Sequence, residues 1–509
     1  MVTTEVTMSS RRRWVALGIL MLASLLLAID GTVLALAVPA LTTSLSPTAE
    51  QVLWIGDVYS LALAGLLVLM GNLSDRFGRR RVLLLGSAAF GAASVLAAFS
   101  TSPEMLIAAR LMLGVAGATL MPSTLSLIRN IFTDDAERTR AIALWATSFG
   151  AGSAIGPLVG GALLEHFWWG SVFLINVPVM VVVLIGGALL LPESKNPEPG
   201  RFDVPSAVLS IVALTGAVYA IKHVVAAGLD AQTAVTIVVA VVASTVFARR
   251  QRRLDDPLLD LTLFGYRSFS GAVLSSVIAI FALVGLMFFF SQYLQLGRGM
   301  SPLQAGVAEL PATLASVVVV VVIAAMVRRL GYGRSVATGL GMAAAGLAGV
   351  SLAAGNAHYA WLAIAMVLIG LGVGIAMTLS ADVVLAAVPP TKAGAASAIT
   401  ETANELGVVL GISVLGSLLS LTYRGSLSLP DSLGGTERSA VEDSFASAVT
   451  VLDPGSPVFA AAREAFVGAV QTTALVAAVA AVVAAVVAWR MIPHGRDVSV
   501  VGAHDAAGE

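Results

Sequence analysis

Apolar residues in this chain are gathered into stretches of about 20, the length at which an α-helix crosses a bilayer, and the stretches recur from one end to the other. Fourteen can be laid out, at residues 14–40, 52–71, 82–99, 104–128, 141–164, 170–191, 204–224, 232–248, 269–293, 303–327, 335–354, 358–387, 394–421 and 466–491. Charged residues make up 12% of the 509 and apolar ones 58%. That is too little charge to cover the surface of the soluble domains this length would otherwise form. The expected fold class is therefore an all-α integral membrane protein of fourteen transmembrane helices. Arg11–Arg13 precede the first stretch as in a signal peptide, but the apolar run continues to about Ala40 and is read as an uncleaved span.

Composition also removes chemistry. The chain has no cysteine, so disulfides, thiolate metal ligands and cysteine nucleophiles are excluded. Lysine occurs only at Lys195, Lys222 and Lys392, none of them after a glycine, so no phosphate-cradling P-loop is present. Any energy-driven process in this chain would then draw on an ion gradient, the membrane potential or a separate subunit. No nucleophile–base pair or metal-ligand cluster stands out, which disfavours an enzyme. No cofactor, metal or nucleic-acid partner is expected.

Orientation follows from the basic residues. With the N-terminus inside, the inner segments hold 23 of the 29 lysines and arginines and the outer ones 5, with Lys222 counted outside and Arg110 alone within a span. This positive-inside bias places both termini in the cytoplasm, in the cell membrane. The outer stretch at 424–463 reads as an irregular loop, the run at 249–268 as a solvated charge cluster, and the tail at 493–509 as disordered.

The chain also repeats itself. Arg76-Phe-Gly78-Arg79 after span 2 matches Arg329-Leu-Gly331-Tyr-Gly333-Arg334 after span 10, at an offset of 253. Gly152, Gly156 and Gly161 in span 5 match Gly407, Gly411 and Gly416 in span 13, at an offset of 255. Both matches have the same sidedness, which predicts a parallel repeat. The expected organisation is an N-terminal six-helix bundle at 1–192, a linker with two additional helices at 193–268, a C-terminal six-helix bundle at 269–492, and the tail.

Gly71-Asn-Leu-Ser-Asp75-Arg76-Phe-Gly78-Arg79-Arg80-Arg81 resembles the first cytoplasmic loop signature of major facilitator transporters. Gly71 and Gly78 allow a tight turn. Asp75 is expected to accept bonds from free amides at a helix N-terminus, and Arg76 and Arg79 to reach carboxylates or phosphates. Together they would form a conformational latch. Gly152, Gly156, Pro157, Gly160 and Gly161 resemble the antiporter motif of the same superfamily, acting through close helix packing and a proline kink. Ala28-Ile-Asp30-Gly-Thr32 through Pro39, Trp168-Trp169 through Asn176-Val-Pro178, and Pro389-Pro390 through Gly411 resemble signatures of fourteen-span drug:proton antiporters. The span 4 pattern of that family survives only as Arg110 and Gly114.

Ionisable groups inside spans are costly and mark function. Asp30 and Arg110 lie at similar depth, roughly 10–15 Å below the outer ends of their spans, and are read as partners in proton coupling. Asp57, one turn inside span 2, either meets interfacial water or, as the resemblance implies, bears on cationic substrates. Glu401 and Glu405 are one turn apart on span 13, with Asn404 beside them; two such carboxylates cannot both ionise cheaply. They suit proton carriage or cation binding. Glu309 and Asp382 are weaker candidates, Glu309 for substrate. The expected function is proton-coupled export of lipophilic, mainly cationic drugs by alternating access, by a monomer among membrane lipids. Export of a single metabolite or antibiotic is the nearest alternative, and a non-transporting membrane sensor a more distant one.

Overall fold

Serine, threonine and aspartate mark where the helices begin. Ser9, Thr48, Ser102, Asp134, Asp203, Asp230, Ser301 and Ser456 each accept a bond from the backbone amide three residues on, satisfying amides that the first helical turn leaves free. The structure is a computed structural model describing residues 8–195, 203–254, 257–356, 358–389, 392–430 and 433–495. Its described residues contain no β-strand.

Fourteen helical segments follow the apolar stretches: α1 (Ser10–Leu45), α2 (Ala49–Phe77), α3 (Arg79–Ala98), α4 (Pro103–Ile131), α5 (Asp135–His166), α6 (Ser171–Leu190), α7 (Val204–Ala227), α8 (Ala231–Gln251), α9 (Arg267–Gln292), α10 (Pro302–Val318 with Val320–Leu330), α11 (Tyr332–Ala353), α12 (Tyr359–Ala386), α13 (Ala393–Leu410 continuing to Gly416–Ser426) and α14 (Pro457–Met491). The two parts of α10 meet at 56°. A π-helical turn, Gly411–Leu415, interrupts α13, and another, Tyr293–Gly297, ends α9.

The repeat is structural as well as sequential. Thr48 with Gln51 and Ser301 with Gln304 form reciprocal capping boxes at the starts of α2 and α10. Gly78 and Gly331 occupy the same offset between α2 and α3 and between α10 and α11, at φ 113° and 78°, conformations that side-chain-bearing residues rarely adopt. In each half the segment after the sixth helix folds back onto the third. The amide of Arg79 donates to the Ser194 carbonyl (2.9 Å), and the amides of Tyr332 and Gly333 donate to Gly495 and Pro493.

The glycine triplets take matching places. Gly152 and Gly156 press α5 onto α1 at Leu25, Ala28 and Thr32, while Gly407 and Gly411 press α13 onto α9 at Val277 and Phe281. The third member of each triplet faces the opposite half: Gly161 meets Pro302 and Leu303 of α10, and Gly416 meets Leu53 of α2. Helices α7 and α8 pair with each other, and α7 packs on α2 and on the π turn of α13. The end carrying Arg76–Arg81 is the basic end of the molecule and the opposite one its far end.

Two expectations change, for the stretch at 424–463 and for Lys222. The stretch at 424–463 is not irregular: α13 runs to Ser426, and short helices Gly435–Asp443 and Phe445–Val451 precede α14. Val441 of the first and Phe445 and Ala448 of the second are buried, an apolar face that the surrounding Ser, Glu and Asp hide in the sequence. The run at 249–268 keeps Arg249, Arg252, Arg253 and Arg267 exposed, as a solvated charge cluster should; it starts as the last turn of α8, with Arg250 bonded to Asp203 (2.9 Å), and ends in a 3-10 turn, Leu261–Gly265. Burial opposes it, yet the bonds from Lys392 and Thr262 hold the Asp260 carboxyl below the usual range. Lys222 does not face water; it is buried within α7, so Arg110 is not the single cation inside a span. Residues 496–509, most of the tail read as disordered, lie outside the described residues.

Candidate functional site

A cavity of about 340 Å³ opens between the first six helices and the last six, near the low end of small-molecule sites. From the first six helices, Gly31, Thr32 and Ala35 (α1), Tyr59 and Ser60 (α2), Arg110 (α4) and Pro157 (α5) line it. From the last six come Met287 and Phe288 (α9), Glu309 and Thr313 (α10), Val373 (α12), and Val408 and Ile412 (α13). Most of this wall is apolar, with a few convergent polar groups.

Arg110 joins the cavity to Asp30 behind it. Its Nη1 donates to Asp30 Oδ2 at 3.1 Å, and its Nε donates to the Ile55 carbonyl at 3.2 Å. The Tyr59 ring lies 4.7 Å from the guanidinium carbon, a cation–π contact. Asn176 of α6 donates to the other Asp30 oxygen at 2.8 Å and to Ser94 at 3.1 Å. The Asp30–Arg110 partnership expected from depth is therefore formed. Asn176 carried no assigned role in the sequence, since a buried amide on one helix says nothing of the acid it faces on another.

The other acids divide into two kinds. Asp57 is fully buried and already paired: Lys222 Nζ lies 2.8 Å from Oδ2, and Ser413 Oγ donates to Oδ2 at 2.5 Å. It sits behind the cavity wall rather than on it. Neither Lys222 nor Ser413 was legible as its partner. Glu309 lies on the wall, and its Oε1 is buried with no hydrogen-bond partner. Glu401 and Glu405 continue the Val408–Ile412 stripe of α13 toward the basic end, and Glu405 Oε2 and Asn404 Oδ1 also lack partners. Among the described residues, no Lys or Arg ion pair reaches Glu309, Glu401 or Glu405. Asp382, near the basic end of α12, is exposed and apart from this group.

At the basic end, Asp75 accepts from Arg79 Nε at 2.8 Å, four residues on. The free amide at the start of α3 goes elsewhere, with Arg80 N donating to Glu193 Oε1 at 3.2 Å. The expectation that Asp75 serves those amides is corrected: Asp75, in the last turn of α2, takes the Arg79 side chain instead, whereas Glu193 arrives from the segment after α6 and takes the Arg80 amide. A Cβ on Gly78 would come within 2.7 Å of the Glu193 carboxylate. Arg80 also bonds the Ala188 carbonyl. Gly71 lies against Pro122 of α4, and Arg76 is exposed. At the far end the halves are joined. Gln295 donates to the Leu36 carbonyl at 3.0 Å, Asp443 accepts from the Ala49 amide at 3.0 Å, and the Pro157 carbonyl abuts Gly306.

The family model described as Major Facilitator Superfamily matches residues 20–412. The chain belongs to the Major Facilitator Superfamily. It is a multi-pass membrane transporter and not an enzyme. This major facilitator chain is 45% identical to the multidrug efflux pump LfrA of Mycolicibacterium smegmatis over 94% of its own length and 95% of that protein's. It is 38% identical to the methyl viologen resistance protein SmvA of Salmonella typhimurium, over 90% and 93%. It is 34% identical to the tetracenomycin C resistance and export protein of Streptomyces glaucescens, over 80% and 76%. The solved structure of a bacterial homologue of the human lysosomal transporter Spinster shares its fold, with a TM-score of 0.67 at 16% identity over 98% and 99% of the two chains.

Proposed function

We propose that this transporter exports lipophilic, mainly cationic drugs and dyes in exchange for protons. Two bundles, 1–192 and 269–492, rock about the central cavity as a monomer in the cell membrane, with both termini and the basic end in the cytoplasm. The observation that carries this reading is Glu309 on the cavity wall, an acid with an unpartnered oxygen and, among the described residues, no cation partner. A cation or a proton can occupy that place, and not both. Export of drugs fits relatives that are a multidrug efflux pump and a resistance protein. Contacts that join the halves at the far end fit a cytoplasm-facing member of an alternating-access pair.

One proton moving inward down 100 mV releases about 2.3 kcal/mol, and each pH unit adds about 1.4 kcal/mol. One proton per turnover then sustains a gradient of tens- to hundreds-fold for a neutral substrate. Purified protein in liposomes with an imposed pH gradient should drive a cationic dye against its gradient and release protons in step. Dye movement that ignores the pH gradient would sink the proton reading. The 34% identity to an antibiotic export protein favours a second reading, export of one metabolite. A narrow set of transported compounds in the same liposomes would select it.

A further inference from the structure

Helix α7 runs along the seam between α2 and α13. Near the far end, Lys222 of α7 donates to Asp57 of α2 at 2.9 Å and lies 3.6 Å from the Trp54 ring centroid, while Ser413 of α13 bonds the same carboxylate. About one turn deeper, Leu61, Val218 and Val409, one residue from each helix, form a buried cluster. Deeper still, Ile211 of α7 closes on Gly65 of α2. Ser413 sits in the π-helical turn of α13. Such a turn shifts the facing of its residues relative to a regular helix, and these turns gather at functional places.

We propose that Lys222 is a positioning residue in a lock across the α2–α13 seam. It holds the Asp57 carboxylate where the Ser413 hydroxyl reaches it, so that the inserted helices take part in closing the far end. Opening that end parts α2 from α13 and breaks the Ser413–Asp57 bond. Lys222 then keeps Asp57 paired, and the carboxylate returns to the same place on closure. A buried carboxylate with no such partner would instead be stranded, at high cost, each time the seam opened. The inference rests on the alternating-access reading.

Because the chain has no cysteine, spin labels can be placed without background at Ser44→Cys, exposed at the end of α1, and Leu421→Cys, exposed on α13. Distances between them would be measured by pulsed electron resonance in lipid nanodiscs, at acidic and at alkaline pH. Two variants carry the test. Ser413→Ala removes only the bond across the seam. Asp57→Leu with Lys222→Met removes both charges and the acceptor of the Ser413 hydroxyl together, and leaves no charge stranded. The lock predicts that each variant shifts the ratio of long to short distances about tenfold or more toward the long one, as loss of a hydrogen bond to a charged group should. Lys222→Met alone should also lower thermal stability, and the double variant should restore it. A static structural pair predicts the same stability pattern with the distance ratio unmoved, and that result overturns the lock. A parent protein that never divides into two distance populations overturns alternating access, and the lock with it.

Discussion

Asp30 and Arg110 meet 3.1 Å apart with both side chains out of contact with solvent, and Asn176 occupies the remaining Asp30 oxygen. Three helices thus hold one carboxylate. Removing one member of such a pair leaves the other charge stranded, at a cost of about 3–5 kcal/mol. Asp30→Asn should therefore abolish pH-driven dye transport and lower the melting temperature, while the protein still inserts in the membrane. Adding Arg110→Gln should recover the melting temperature and not the transport. Undiminished pH-driven transport by Asp30→Asn would remove Asp30 from the coupling path.

Glu309 and Glu405 each present a buried oxygen with no partner. We expect Glu309→Gln and Glu405→Gln to weaken binding of cationic dyes by about tenfold or more while neutral compounds bind as before, since a lost charge-assisted contact is worth about 1.5–3 kcal/mol. Dye binding measured against pH checks this. Protons and cations should compete in the parent protein, and the competition should vanish in a variant lacking the responsible acid. Unchanged competition in the Glu309→Gln, Glu401→Gln, Glu405→Gln triple variant would place the site elsewhere.

The basic-end cluster lies far from the cavity, so its variants should slow the cycle without touching affinity. Asp75→Asn and Glu193→Gln should lower turnover by about tenfold and leave dye affinity within about twofold. A variant that binds weakly yet cycles at the normal rate would contradict a latch.

Gly161 faces the opposite half at close range: a Cβ there would lie 2.7 Å from the Pro302 carbonyl oxygen. Gly161→Ala should cost about 1–3 kcal/mol in the state with the far end joined and bias the protein toward the opposite one. Labelling of cysteines introduced in the cavity, with a reagent added from the far side, would report the shift. Gly150→Ala, with nothing within 4 Å of the added carbon, should label like the parent.

Lys392 and Asp260 tie the segment before α13 to the linker after α8, at 2.8 Å. The Asp260 carboxyl is held low in the folded protein, so its stabilisation is present above the ordinary carboxyl range and is lost as pH falls through the folded value. Lys392 is raised, first by its bond to Asp260, so its share is lost only in strong alkali. Lys392→Met should lower the melting temperature slightly at about pH 7, the pair being partly solvated and worth about 1 kcal/mol or less, and should lower it by less at about pH 3. Equal loss at both values would show that the pair does not act through charge.

Much of this architecture could be read in one dimension. Span positions, the repeat, and the Asp30–Arg110 pairing all follow from apolar length, fixed spacing and depth, which a bilayer converts directly into place. The apolar face of Val441, Phe445 and Ala448 escaped because its polar neighbours dominate a short segment. Lys222 was misplaced because a lysine at the margin of a span counts as water-facing until its partner is known.

By itself the sequence determined that this chain crosses the membrane many times, that it repeats, and which acids lie in costly positions. A bilayer imposes those properties segment by segment, through hydrophobic length and the cost of burying charge. Only the tertiary structure decided which acids are already neutralised. Asp57 meets Lys222 across 165 positions of sequence and Ser413 across 356, whereas Glu309 meets no cation among the described residues. Pairing between helices depends on how they are rotated and packed against one another, and no local rule of length or periodicity carries that information.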